Sequence, residues 1–232
     1  MILAKNIIPA TFIKRPNRFL GYVELNGEEI PCFIPDPGRL KELLYKGKKV
    51  YLTSAKKEGR KTDFDLIAVE HDNLIVGIDS RVPNKHVLDL LHKNRLFKTK
   101  FDLRKSEFSY GNSRLDFYLK KGNEKYLLEV KGCNLVIEDI ALFPDAPTIR
   151  GTRHVSELIE ALKNNFISMI FFVIQRHDAI KFRPNEEMDP IFSKELKLAK
   201  EKGVIIKAML NKIEIRENDL YINYLNEIDL DF

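Results

Sequence analysis

Asp116 is followed, after twelve intervening residues, by the triplet Glu129-Val-Lys131, and this set of two acids and one lysine could do chemistry. Hard divalent cations such as Mg2+ or Mn2+ favour carboxylate and water oxygens, and keep several waters. A bound cation makes water more acidic, and a neighbouring ammonium can stabilise charge developing on a phosphate. The chemistry implied is metal-dependent phosphodiester cleavage, with Asp116, Glu129 and Lys131 as catalytic candidates. The same types at the same spacing also arise by chance on solvated sheet faces, so the elements that carry them decide the matter.

Two strands, Arg114 to Lys120 and Tyr126 to Lys131, flank the polar loop Lys121-Gly-Asn-Glu124. If Lys120 pairs with Lys125, Asp116 faces Glu129. Alternation puts Glu129 and Lys131 on one face and Leu128 and Val130 on the other. A slip of one residue would scatter the set. Facing carboxylates repel, so Lys131 and a cation bound by both acids are the expected compensation.

Upstream, Phe19–Leu25 and Glu29–Ile34 flank the hairpin signal Asn26-Gly27. A brief helix is expected from Pro37 or Gly38, with Leu40, Leu43 and Leu44 on one side. Three more strands are expected at Lys49–Thr53, Phe64–Glu70 and Leu74–Ile78. Five strands and one short helix suit a small closed barrel, an OB-like fold leading and an SH3-like barrel giving nearly the same string. The periodicity changes at Asp79–Pro83, which sets domains of 1–82 and 83–232. The second region reads as a helix from Asn84 to Leu96, then strands Phe101–Tyr110, the two above, and Asn134–Ile140. A helix Thr152–Asn165 and the apolar strand Ile167–Gln175 follow. A helix Asp189–Lys202 and strands Val204–Leu210 and Lys212–Arg216 complete an α/β domain with a mixed sheet.

The 232 residues are 44% hydrophobic and 31% charged, as in ordinary globular proteins. No apolar run is long enough to span a membrane, and the first residues lack a secretory pattern, so a cytoplasmic protein without a membrane partner is expected. Cys32 and Cys133 imply neither disulfide nor zinc site, and His86 and His92 read as surface residues. The net charge is +5. Between Lys46 and Lys61, seven basic residues, Lys56, Lys57 and Arg60 among them, face the single acid Glu58, either as a solvated loop or as a phosphate-binding patch.

Several motifs run in order along the chain: Pro35-Asp-Pro-Gly-Arg-Leu40, Val82-Pro-Asn84, Tyr110-Gly-Asn-Ser-Arg-Leu-Asp-Phe117, Glu129-Val-Lys131, Phe143-Pro-Asp-Ala146, Arg150-Gly-Thr-Arg-His154 and Gln175-Arg-His-Asp178. Together they resemble the sugar fermentation stimulation protein A family. The resemblance implies an N-terminal OB-like nucleic-acid-binding domain and a C-terminal domain of the PD-(D/E)xK nuclease superfamily. It also implies DNA as partner, with either cleavage or a non-cleaving role in regulating sugar utilisation genes. Asp116 matches the superfamily's first acid and Glu129-Val-Lys131 its (D/E)xK, although Leu115 stands where the motif has proline. Asp36 stands where asparagine is expected in much of the family. Asp89 fits the place of a third metal-binding acid. Arg39, Lys56, Lys57, Arg60, Lys61, Arg150, Arg153 and His154 are nucleic-acid-binding candidates, the last three at a helix start that also favours phosphate. Glu157 and Gln175 stand as supporting residues, and Asp145 as a helix cap or further acid.

Overall fold

The computed structural model describes residues 1–97 and 100–232. The chain divides into two compact units. The first comprises Met1–Val82, Ile174–Asp178 and Leu210–Leu225, and the second Pro83–Val173, Ala179–Met209 and Asn226–Phe232.

In the first unit, β1 (Ile2–Ala4) precedes β2 (Ile8–Asn17), β3 (Leu20–Leu25), β4 (Glu28–Phe33), β5 (Lys49–Ser54), β6 (Phe64–His71) and β7 (Leu74–Gly77). β2 pairs antiparallel with β3 and β5, β3 with β4, and β5 with β6. A parallel contact of β4 with β6 at Phe33 and Asp65 closes the ring. This is a five-stranded OB barrel. Asn26 and Gly27, at φ 54° and 84°, make the tight turn between β3 and β4. Phe12, Val23, Ile34, Leu52 and Leu66 fill the interior.

Three details depart from the sequence reading. β2 was not expected, because Pro9 and Pro16 cannot donate to a ladder. Pro9 is registered with Tyr51 of β5 but lies beyond the first β3 pair, Thr11 with Glu24, and Pro16 falls where the β3 ladder is irregular between Lys14 and Asn17. β7 pairs with β6 from Ala68 to His71 and is not a member of the ring. The expected short helix is one turn, in which Leu43 N and Leu44 N donate to Leu40 O. Leu40 holds φ 51°, outside helical geometry, so the turn does not extend backwards. All three leucines are nevertheless buried in the barrel core.

The second unit opens with α1 (Val82–His92), then β8 (Leu103–Tyr110), β9 (Ser113–Lys121), β10 (Glu124–Cys133), β11 (Val136–Ile137) and β12 (Ile140–Phe143). After these come α2 (Ile149–Lys163), β13 (Phe166–Ile174), β14 (Lys181–Pro184) and α3 (Pro190–Lys202), and then β15 (Ile205–Arg216) and β16 (Asp219–Leu230), whose stretch Leu210–Leu225 belongs to the first unit. Antiparallel pairs β8–β9–β10 and parallel pairs β12–β14–β16 make the unit a mixed α/β domain. The strand expected at 134–140 is instead the hairpin β11–β12, turned by Glu138 and Asp139 at φ 48° and 64°. The two strands expected around Asn211 are one, β15. Asn211 is fully buried, and its Nδ2 donates to Ile174 O at 3.0 Å, which removes the need for a break. β14 and β16 were not expected.

Helix α2 positions the site. Thr148 caps it, its Oγ1 accepting from Gly151 N at 3.0 Å, and Val155, Leu158 and Ala161 form its buried face. Asp189 caps α3 through Oδ1 to Phe192 N, while its Oδ2 accepts from Thr148 N at 2.7 Å. One carboxylate therefore fixes both helix starts. Among the described residues, no helix is long and apolar enough to cross a membrane.

Candidate metal centre

The hairpin register is the one expected. Lys125 pairs with Lys120, and pairing continues to Leu128 opposite Phe117. There the ladder stops, and Asp116 Oδ2 accepts from Val130 N at 2.7 Å. A side chain thus takes over a backbone partner. Asp116 Oδ1 accepts from Asn84 Nδ2, in the first turn of α1, at 2.5 Å. On the other flank, Glu107 interrupts the β8 ladder at the same level, with φ 56° between the pairs Ser106–Phe117 and Phe108–Leu115. Asp116 is therefore held where both of its strand's ladders are broken.

Glu129, in the middle of β10, is 2% exposed. Its Oε1 accepts from Lys131 Nζ at 2.6 Å and from His154 Nδ1 at 2.5 Å. Arg150 Nε donates to His154 Nε2 at 3.3 Å, which places the imidazole proton on Nδ1, facing the carboxylate. Glu129 Oε2 is buried with no hydrogen-bond partner. Burial opposes ionisation of Glu129, but Lys131 and His154 outweigh it and hold its carboxyl below the ordinary value. Asp116 goes the other way. Burial, and then the charge of Glu129, push its carboxyl up to about 6 against the weaker opposing pulls of Val130 N–H, Lys131 and Asn84. One acid is ionised and the other reluctant, as expected for two neighbouring carboxylates.

This donor set fits a hard divalent cation. An orphaned buried carboxylate oxygen beside a second carboxylate is costly alone and is satisfied by a cation. Among the described residues no three His, Cys, Asp or Glu side chains gather as a metal-holding group, so the set is two carboxylates. Asp89 instead accepts from Lys93 Nζ at 2.8 Å, just past the end of α1.

The remaining residues named from sequence take varied places. His154 is 1% exposed and bonded to Glu129, which is not the surface place expected of a phosphate contact. Arg153 Nε donates to Ser113 Oγ at 3.1 Å, and Glu157 Oε1 accepts from Asn112 N at 2.9 Å. Both brace the β8–β9 turn against α2. Thr148, not Asp145, caps that helix. Gln175 lies in the first unit, where its carbonyl accepts from Gly77 N while its buried side-chain amide has no partner. His86 is buried, contrary to the sequence reading, and His92 is exposed. Lys56, Lys57 and Lys61 are exposed, as is Arg39, whose carbonyl accepts from Arg15. Arg60 pairs with buried Asp65. Sequence reasoning gave no role to Asn84, although it stands in the quoted Val82-Pro-Asn84 motif.

The model of the sugar fermentation stimulation protein RE domain matches residues 81–217, and that of the SfsA N-terminal OB domain matches residues 13–78. A sugar fermentation stimulation protein homolog of Clostridium botulinum (strain Langeland) is 44% identical over 211 residues, 90% of this chain and 91% of that protein. One from Clostridium kluyveri (strain NBRC 12016) is 43% identical over 210 residues, again 90% of this chain and 91% of that protein. The structure of Pyrococcus furiosus SfsA in complex with Ca2+ covers 100% of both chains at 30% identity, with a TM-score of 0.88. The chain belongs to the sugar fermentation stimulation protein family.

Proposed function

We propose that this protein is a nucleic-acid-binding, divalent-metal-dependent phosphodiesterase, with DNA as its substrate and Asp116, Glu129 and Lys131 as its reaction centre. The observation that carries the reading is Glu129 Oε2, a buried and unpartnered carboxylate oxygen beside a second acid. That a relative of the same fold was solved with Ca2+ supports a hard-cation site, since Ca2+, Mg2+ and Mn2+ share a preference for oxygen ligands.

Asp116 and Glu129 are the residues that hold the cation. Glu129 presents Oε2 because Oε1 is engaged by Lys131 and His154. Asn84 and the Val130 N–H set the orientation of Asp116. When bound, Mg2+ or Mn2+ supplies positive charge against the phosphate and makes water more acidic. The side chain of Lys131 is 15% exposed, and one of its three N–H donors goes to Glu129. Its remaining donors are directed to a phosphate oxygen as negative charge develops there.

The test is cleavage of single- and double-stranded DNA with Mg2+, with Mn2+ and with EDTA, using wild type and the Lys131→Ala protein. Metal-dependent cleavage lost in the variant is expected. Equal cleavage by both, after removal of contaminating nuclease, would overturn the assignment. Binding in EDTA without cleavage under either metal would leave the non-cleaving DNA-binding reading instead.

A further inference from the structure

We infer that Arg150 is a positioning residue of the metal centre, acting through His154 to keep one oxygen of Glu129 free for the cation, an inference that rests on the metal-site reading above. The sequence offers Arg150 as a phosphate contact, and the structure gives it a further partner. Its Nε donates to His154 Nε2 at 3.3 Å, and His154 Nδ1 lies 2.5 Å from Glu129 Oε1. Guanidinium, imidazole and carboxylate thus form one line of contacts, which ends at Oε2, buried and without a hydrogen-bond partner. Arg150 is exposed, whereas the side chains of His154 and Glu129 are 2% and 3% exposed.

The start of α2 places these groups. Arg150 and His154 stand at i and i+4 in the helix and so share one of its faces, a turn apart. Thr148 Oγ1 accepts from Gly151 N, and a Cβ at position 151 would come within 2.8 Å of the Thr148 side chain. Glycine there lets the cap close, which fixes the turn that carries Arg150. Among the described residues the guanidinium pairs with no carboxylate, and its hydrogen bond is the one from Nε to the imidazole.

Chemistry suits arginine to this task. A neutral imidazole carries one ring proton, and the hydrogen bond made at one nitrogen decides which nitrogen keeps it. A guanidinium has donors and no acceptor, so Nε2 beside it must accept and Nδ1 must donate. Water in the same place can donate or accept, and leaves both tautomers open. In the other tautomer a bare Nδ1 lone pair would face a carboxylate oxygen, and the contact that holds Oε1 would be lost. Glu129 would then be free to turn Oε2 away from the cation. Arg150 therefore keeps Oε1 engaged and Oε2 presented, although its own bond is to His154.

The experiment is calorimetric titration of the full chain with Mn2+ alone, in wild type and Arg150→Met. Methionine keeps the stem and removes every donor. Mn2+ affinity should fall about ten-fold or more, the scale on which outer partners of metal ligands act. Charge alone predicts the opposite sign, because removing a cation near the site favours binding of another. An arginine that served only as a phosphate contact would weaken DNA binding in EDTA and leave Mn2+ binding equal or tighter, and that result would overturn the inference. An unaltered melting temperature in EDTA shows that the variant folds. A second measurement needs no variant at position 150: spectra of the protein with 15N-labelled histidine, with His154 assigned by its absence from His154→Asn. Wild type should show His154 protonated on Nδ1 and bare on Nε2, and a proton on Nε2 would equally overturn the inference. If wild type binds Mn2+ and Arg150→Met binds it as well, only the role of Arg150 is lost; if wild type binds no Mn2+, the metal-site reading falls too.

Discussion

His154 Nδ1 lies 2.5 Å from Glu129 Oε1, and both side chains are nearly inaccessible to solvent. The contact joins α2 to β10, and it settles which oxygen of Glu129 remains available. Removing it should therefore act on metal affinity before it acts on the fold. His154→Asn, which can still donate a hydrogen bond, should bind Mn2+ more tightly than His154→Ala. The alanine variant should lose on the order of 10- to 100-fold in affinity. Calorimetric titration of both proteins checks this, and equal affinity in the two would remove His154 from the site's support.

The three central side chains act on phosphate and water, whereas affinity for nucleic acid comes mainly from other phosphate contacts. Asp116→Ala, Glu129→Ala and Lys131→Ala should each abolish cleavage and leave binding within a few-fold of wild type. Parallel cleavage and anisotropy measurements separate the two properties.

The raised carboxyl of Asp116 makes a pH prediction for the metal-free protein. Its ordinary value is 3.8 and its folded value about 6. Between these, the folded protein holds a proton that the unfolded chain releases. Stability from this group is thus full at low pH and falls as pH rises through the window. Urea denaturation in EDTA at pH 4, 5, 6 and 7 should show wild type losing stability relative to Asp116→Asn, at up to about 1.4 kcal/mol per pH unit. Parallel curves for the two proteins would contradict it.

Mn2+ should raise the melting temperature of wild type, because a ligand of the folded state stabilises it by mass action. Asp116→Asn should start higher in EDTA and gain less from the metal, having lost both the repulsion and a charged ligand. Calorimetric scans with and without millimolar Mn2+ give the contrast.

Lys56, Lys57 and Lys61 are tested by salt. Replacing all three with alanine should lower the log–log salt slope of binding by about 0.7 to 0.9 for each lysine that contacts phosphate. An unchanged slope would mean the loop is only solvated.

How far these features were legible follows from how local their causes are. The β9–β10 register could be read because a short polar loop joins the strands and alternation does the rest, so Asp116 and Glu129 came out together. The neighbours that hold them could not. Asn84 comes from a helix 32 residues before Asp116, and His154 from one 25 residues after Glu129. His154 sits among arginines in the sequence and so reads as a surface cation, while the fold turns that side of α2 inwards. β2 was hidden by its prolines: Pro9 has a register partner only on its β5 side, and Pro16 falls at an irregularity of the β3 ladder. Asn211 looked like a break because its hydrogen-bond partner, Ile174 O, is 37 residues away.

β1 has a consequence for how the chain is made. Ile2 pairs with Tyr221, and the amino group of Met1 donates to Ile222 O at 2.8 Å. The ring of the barrel is contiguous from Ile8 to His71 and can close soon after it emerges from the ribosome. The first strand has no such option. At about 5–20 residues per second, its partner is synthesised roughly 10–40 s later. Until then β1 presents an unpaired strand edge.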